Sequence, residues 1–257
     1  MRTFYLLVIM LAAIAATAQK SDTVRIDASK INTSSLIPGV HQYLVYFKNG
    51  KDSSRVNFQF WTREVQLTKH EGRDAITIKQ TWEDNKSIIH RVNSINDRKT
   101  FAPLYHDSWW KSRGSFVFDF IKKTAFVNDK QVTAADTAVA RQKMFAAYEK
   151  ALTEYVLNWH LDLEVFPLLP YKDGVTFMIN FYDPGFPAPS FQAYTVDGSA
   201  KLIGYGGQSI DCWLLKHESP NNHEVFWVSK KTREVLKLEQ QFGTRYRYKV
   251  KLGSVAP

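Results

Sequence analysis

His160 and Glu164 stand four residues apart. On a helix that spacing puts an imidazole and a carboxylate on one face, as a divalent cation would require. No third ligand lies nearby in the sequence, so the pair closes no metal site and reads as polar helix surface. His217-Glu218 and His223-Glu224 flank Pro220-Asn221-Asn222; this is the composition of a solvated hairpin tip. Cys212 alternates with Ile210 and Leu214, which points the thiol toward an apolar face and makes it an inert buried cysteine. Asp107 beside Trp109 and Trp110 is where an acid meets the kind of aromatic surface that stacks on sugars. Neighbours on a strand point to opposite sides, so the two tryptophans cannot both face one core if they lie on a strand; a plain packed loop is the other reading. The chain holds no G-x-S-x-G and no H-E-x-x-H. Gly204, Gly206 and Gly207 lack the spacing and the following helix of a dinucleotide site and mark a turn. These residues assign no catalytic group, no metal and no cofactor. A carboxylate pair brought together only in three dimensions stays open.

The elements that would position them are mostly strands. Val56, Phe58 and Phe60 alternate with Asn57 and Gln59, and Ala75 to Ile78 alternates likewise. Further short segments are split by Asn49-Gly50, Glu71-Gly72 and Asn96-Asp97, the pattern of an antiparallel meander. Between 138 and 166 the period changes. Phe145, Tyr148, Leu152, Tyr155, Trp159 and Leu163 recur at spacings of three and four, which predicts one amphipathic helix, started near Thr133 to Asp136 and ended by Pro167 and Pro170. Strands resume at Val175, where Val175, Phe177, Ile179 and Phe181 share a face. The last one alternates Tyr246, Tyr248, Val250 and Leu252 with Arg245, Arg247, Lys249 and Lys251. Ile95 to Leu104 is weakly similar to Trp227 to Leu236; either the two halves share a meander unit, or two polar turns look alike.

Residues 1–18 have the form of a secretory signal peptide. Arg2 precedes an apolar run from Phe4 to Ala16, and Ala16-Thr17-Ala18 supplies the cleavage residues. The run is shorter than the about 20 residues of a membrane span, and no comparable second run exists. No cysteine lies at the cleavage point to carry a lipid. The expected product is residues 19–257, a single exported β-rich domain, periplasmic or extracellular and not lipid-anchored. One cysteine excludes an internal disulfide. The net charge is +9, but export argues against nucleic acid as a partner, and lysines and arginines on the last strand suit a solvated face or a guarded sheet edge.

Glu224 to Glu239, with its Trp227 strand, Lys231-Thr232 turn and returning strand, resembles a hairpin of an exported bacterial β-rich family of unknown function. Asp162 to Pro170, the strand from Val175, Ile210 to Leu214, and Gly243 to Val250 are similar to it as well, so the resemblance spans roughly residues 85–252. It implies a fold distantly similar to lipoprotein carriers, and it carries over no catalytic residue.

The expected architecture is therefore α+β and mostly β: a curved antiparallel sheet or half-barrel packed on a central amphipathic helix. The expected function is non-enzymatic binding of a lipid or other amphiphile. The ligand would lie in an apolar concavity lined by Phe58, Phe60, Phe177, Ile179 and Phe181, with Trp109 and Trp110 as further contacts. The alternatives are an envelope carbohydrate-active hydrolase and an assembly protein that meets envelope components through exposed tryptophan and a basic sheet edge.

Overall fold

The computed structural model describes residues 22–204 and 207–255, and the segment read as a signal peptide lies outside them. After the short β1 (Thr23–Arg25), which pairs in parallel with residues 176–178 of the second half, the first half of the chain is an antiparallel meander: β2 (Gly39–Asn49), β3 (Val56–His70), β4 (Arg73–Glu83), β5 (Ile88–Asp97), β6 (Pro103–Trp110), β7 (Gly114–Asp119), β8 (Thr124–Val127) and β9 (Lys130–Gln131). A helical connection follows. A second meander then runs through β10 (Leu157–Asn158), β11 (Thr176–Tyr182), β12 (Ser190–Ile203), β13 (Ser209–Ser219), β14 (Asn222–Ser229), β15 (Val235–Phe242) and β16 (Arg245–Val255).

All of these strands form one sheet, ordered β1-β11-β12-β13-β14-β15-β16-β2-β3-β4-β5-β6-β7-β8-β9, with β10 also on β11. The protein is mostly β, built on one large open curved sheet. The two meanders are fused where β16 pairs with β2, Lys249 opposite Val45 and Lys251 opposite Tyr43. The last strand is thus mid-sheet, not an edge. Arg245 stays exposed, but Arg247, Lys249 and Lys251 turn inward, and Lys249 is 3% exposed. Tyr248 stacks outside on Tyr46, its cross-strand partner, with ring centroids 5.0 Å apart. This corrects the reading of the basic residues as a solvated or edge-guarding face. Alternation fixes two faces but not which one is inside.

The weak internal similarity corresponds to one turn built twice. Asp97 accepts from Phe101 N, and Ser229 from Arg233 N, both at 2.9 Å or less. Phe101 and Arg233 take left-handed φ of 58° and 64°. Thr100 N donates to the Asp97 side chain and Thr232 N to that of Ser229. The next residue, Arg98 or Lys230, donates from its backbone to Asp74 or Asp211 on the adjoining strand. The two halves therefore share a meander unit at this corner.

No single helix runs over 138–166. Helix α1 (Val139–Thr153) stops at Glu154, which is extended, and Leu157–Asn158 then pairs with Phe181–Tyr182 of β11. The start is also not capped as expected: Asp136 accepts from Thr133 N and Arg141 Nε instead. Helix α1 buries Tyr148, Ala147 and Ala151 in a small cluster with Phe116, Phe118 and Tyr182. The element that fills the main core is the short helical stretch after it, a 3-10 turn at Trp159–Leu161, helix α2 (Asp162–Val165) and a 3-10 turn at Phe166–Leu168. Leu161, Leu163, Val165, Phe166, Leu168 and Leu169 all pack there against the sheet.

Candidate functional site

Period two sets the site. On β3 the inward residues are Trp61, Arg63 and Val65, which leaves Phe60, Thr62 and Glu64 on the outer face. Register then aligns Trp61 with Trp82 on β4, Trp82 with His90 on β5, and His90 with Trp110 on β6. Four strands thus present one row of aromatic rings. Trp61 and Trp82 stack at 3.7 Å with planes 6° apart. His90 lies edge-on to Trp82 at 4.4 Å and stacks on Trp110 at 3.6 Å.

Opposite this row the chain returns at Trp159 and His160. Asn158 caps the turn by accepting from His160 N at 2.9 Å. The His160 carbonyl receives Arg63 Nη2 at 2.8 Å and Gln80 Nε2 at 3.0 Å. Arg63, wholly buried, donates Nε to Glu164 at 2.7 Å and Nη2 to the same carboxylate. Lys249 Nζ donates to Asp162 at 2.8 Å and lies 4.6 Å over the Trp61 ring. Burial raises the Asp162 carboxyl, but Lys249 and Arg63 outweigh it and hold the group below the usual carboxylate range. Burial brings the Lys249 ammonium down to about 8 against the pull of Asp162.

Between the row and the returning segment lies a cleft of about 370 Å³. Its walls are Trp82, Trp110, Trp159 and Phe186, and its polar end holds Asp162, Arg247 and Lys249. Trp159 covers Phe181 with one ring face at 5.6 Å and is 36% exposed. Asp183 closes one side, 2.5 Å from His160 Nδ1. His90 and His106 each centre 5.2 Å from the His160 ring. Burial, with the His160 charge second, brings His90 down to about 3; the same causes push His106 well below the usual imidazole value.

Residues 42–251 match the family described as "Protein of unknown function (DUF3108)". The chain belongs to this family. The DUF3108 region contains every residue of the cleft. No curated protein matches this chain. Among solved structures it is similar to a beta-barrel-like protein of domain of unknown function DUF1849 from Brucella abortus, at 8% identity over 86% of this chain and 100% of that one, TM-score 0.42. It is also similar to a putative outer membrane lipoprotein-sorting protein domain from Vibrio parahaemolyticus, at 10% identity over 84% of each chain, TM-score 0.25.

Only one of the residues expected at the ligand lines this cleft, namely Trp110. Phe177, Ile179 and Phe181 are wholly buried in the packed core, filled from above by residues 161–169. Phe58 and Phe60, at 45% and 51% exposure, are on the other side of the sheet. A strand buries one parity, and on β3 Trp61 and Val65 took it, so the five residues do not share a concavity. Trp109 points outward and lines, with Asp107 and Arg91, a separate surface pocket of about 340 Å³.

His160 and Glu164 do not share a ligand, since Glu164 faces Arg63 and His160 faces Asp183. His217 is buried against Tyr194, while His223 stays at the surface near Glu218. Cys212 is buried, and burial pushes its thiol up. One signal for the missed residues was present. Arg63, in line with Trp61 and Val65, is a charge at an apolar position of the period, whereas Asp162 and Glu164 alternate with Leu161, Leu163 and Val165 and give no such signal. A charge at an apolar position must find a partner inside.

Proposed function

We propose that this chain is an exported binding protein that takes an amphiphilic ligand into the tryptophan cleft. The observation that carries this reading is the cleft itself, about 370 Å³ walled by Trp82, Trp110, Trp159 and Phe186. That size is within the about 300–1,000 Å³ of ligand pockets; other surface hollows are as large, and the aromatic lining is what sets this one apart. The aromatic wall would take the apolar part by burial, at about 0.8 kcal/mol per methylene. Among the described residues no helix is long and apolar enough to cross a membrane. Export rests on residues 1–18, and fractionation of the producing cell should yield a processed form beginning at Gln19 without a lipid. Full-length protein kept in the cytoplasm would contradict that part of the proposal.

The ligand reading is tested by tryptophan fluorescence during titration with dodecyl maltoside below its micelle concentration. A saturable change is expected. Trp110→Ala and Trp159→Ala should each weaken it about tenfold, the equivalent of about 1.4 kcal/mol of lost contact. Binding unaffected by both substitutions would place the ligand elsewhere. An envelope hydrolase has one observation in its favour, that Asp162 and Asp183 line the same cleft. Asp162, however, is kept ionised by Lys249 and Arg63. That suits an ion-pair partner better than a proton donor, which needs a raised pKa.

A further inference from the structure

We infer that the ligand of the cleft carries an anionic head, a carboxylate or a phosphate, and that Arg247 is the residue that receives it. This rests on the amphiphile reading and adds the chemistry of the polar end.

The argument begins with how β16 distributes its cations. Register sets Arg247, Lys249 and Lys251 opposite Phe47, Val45 and Tyr43 of β2 on the concave side. Two of the three are satisfied by the protein. Lys251 donates to Glu234 and lies 2.7 Å from His41 Nδ1. Lys249 donates to Asp162. The neighbouring Arg63 is held by Glu164. Arg247 differs. Among the described residues it makes no ion pair within 4.0 Å, and its Nε is shielded from solvent with no acceptor.

None of the acids around Arg247 lies within 4.0 Å of its guanidinium among the described residues. Asp162 is committed to Lys249, and Asp183 approaches His160. Glu224 Oε1 accepts from Gln240 Nε2 at 2.6 Å, while its Oε2 is buried without a hydrogen-bond partner and does not reach Arg247. Glu224 and Asp162 favour the Arg247 charge through space, but burial opposing it is the larger effect. A guanidinium does not escape by losing its proton. It is a desolvated cation on the cleft wall with no ion pair of its own, and an entering anion would complete its compensation. Its planar fork matches a carboxylate or phosphate with two parallel hydrogen bonds, a geometry an ammonium does not provide. Trp82, Trp110, Trp159 and Phe186 share that cleft, so an anionic head at Arg247 leaves an attached chain or ring system against the aromatic wall.

The test uses three amphiphiles with one twelve-carbon chain: dodecanoate, dodecyl phosphate and dodecyl maltoside, each titrated below its micelle concentration and followed by tryptophan fluorescence. The two anions should bind at least tenfold more tightly than the maltoside, and comparing them shows which head fits the fork better. In Arg247→Gln their affinity should fall to that of the maltoside, and Arg247→Lys should restore part of the difference. A thermal melt of Arg247→Gln reports that the variant is folded. Maltoside binding as tight as the anions, or an anion preference that survives in folded Arg247→Gln, overturns the inference while the amphiphile reading stands. Failure of all three to bind overturns both.

Discussion

Arg63→Leu should lower the melting temperature by about 10 °C or more. The guanidinium is wholly buried, and it is the bidentate partner of Glu164 and a donor to the His160 carbonyl. Removing one member of a buried pair leaves an uncompensated charge, which costs about 3–5 kcal/mol. For a domain of this size each kcal/mol moves the midpoint by about 2–4 °C. The double variant Arg63→Leu with Glu164→Leu should regain most of the loss, because two apolar side chains need no partner. The same network has an acid limb. The depressed Asp162 pKa contributes stability that is present above the usual carboxylate value and lost as pH falls through the lower folded one. An Arg63→Leu protein melting within about 1 °C of the parent would show that Glu164 finds water or another cation.

Stability should also fall steeply between pH 6.5 and 4.5, above the range in which Asp162 titrates. The cause is His90 and His106, whose burial lowers their pKa and so favours the neutral rings. Above pH 6.5 folded and unfolded chains both hold them neutral, so they contribute no slope. Below it the unfolded chain takes up protons that the folded one refuses, down to about pH 3 for His90. Each such group removes up to about 1.4 kcal/mol of stability per pH unit. His90→Phe keeps an aromatic ring on Trp110 and cannot titrate, so its urea midpoint should change less with pH over this window. Equal slopes for parent and variant would mean that His90 is protonated in the folded state.

Of these groups, local pattern signals only the burial of Arg63; its partner Glu164 and the surroundings of His90 and His106 are not legible there. The sequence does record period. Alternation over Val56–Phe60, Ala75–Ile78 and Arg245–Leu252 announces strands, and the hairpins turn at polar residues as expected. It also records the repeated turn, because Asp97 with Thr100 and Ser229 with Thr232 supply the same side-chain acceptors and backbone donors. The opposite facing of Trp109 and Trp110 and the burial of Cys212 follow from parity alone. Each of these facts is settled within a few residues of chain.

What the tertiary structure decided is which parity goes inside and which rows meet. On β3 both parities carry large apolar residues, Phe58 and Phe60 against Trp61 and Val65. The choice fell to the set that could pair Arg63 with Glu164, 101 residues away in sequence. On β16 the charged parity went inward for a similar reason: Asp162, Glu234 and the Trp61 ring wait there for Lys249 and Lys251. The helical pattern of 138–166 was broken because Leu157–Asn158 found a strand partner in β11, which let residues 159–169 turn into the core. The cleft exists only after those choices. Trp61, Trp82, His90 and Trp110 form a row through the register of four strands, and Arg247 reaches it only when the last strand closes on β2. A single chain segment fixes its own periodicity, but register and inward face are energies of pairs of segments, and those are defined only once the sheet is assembled.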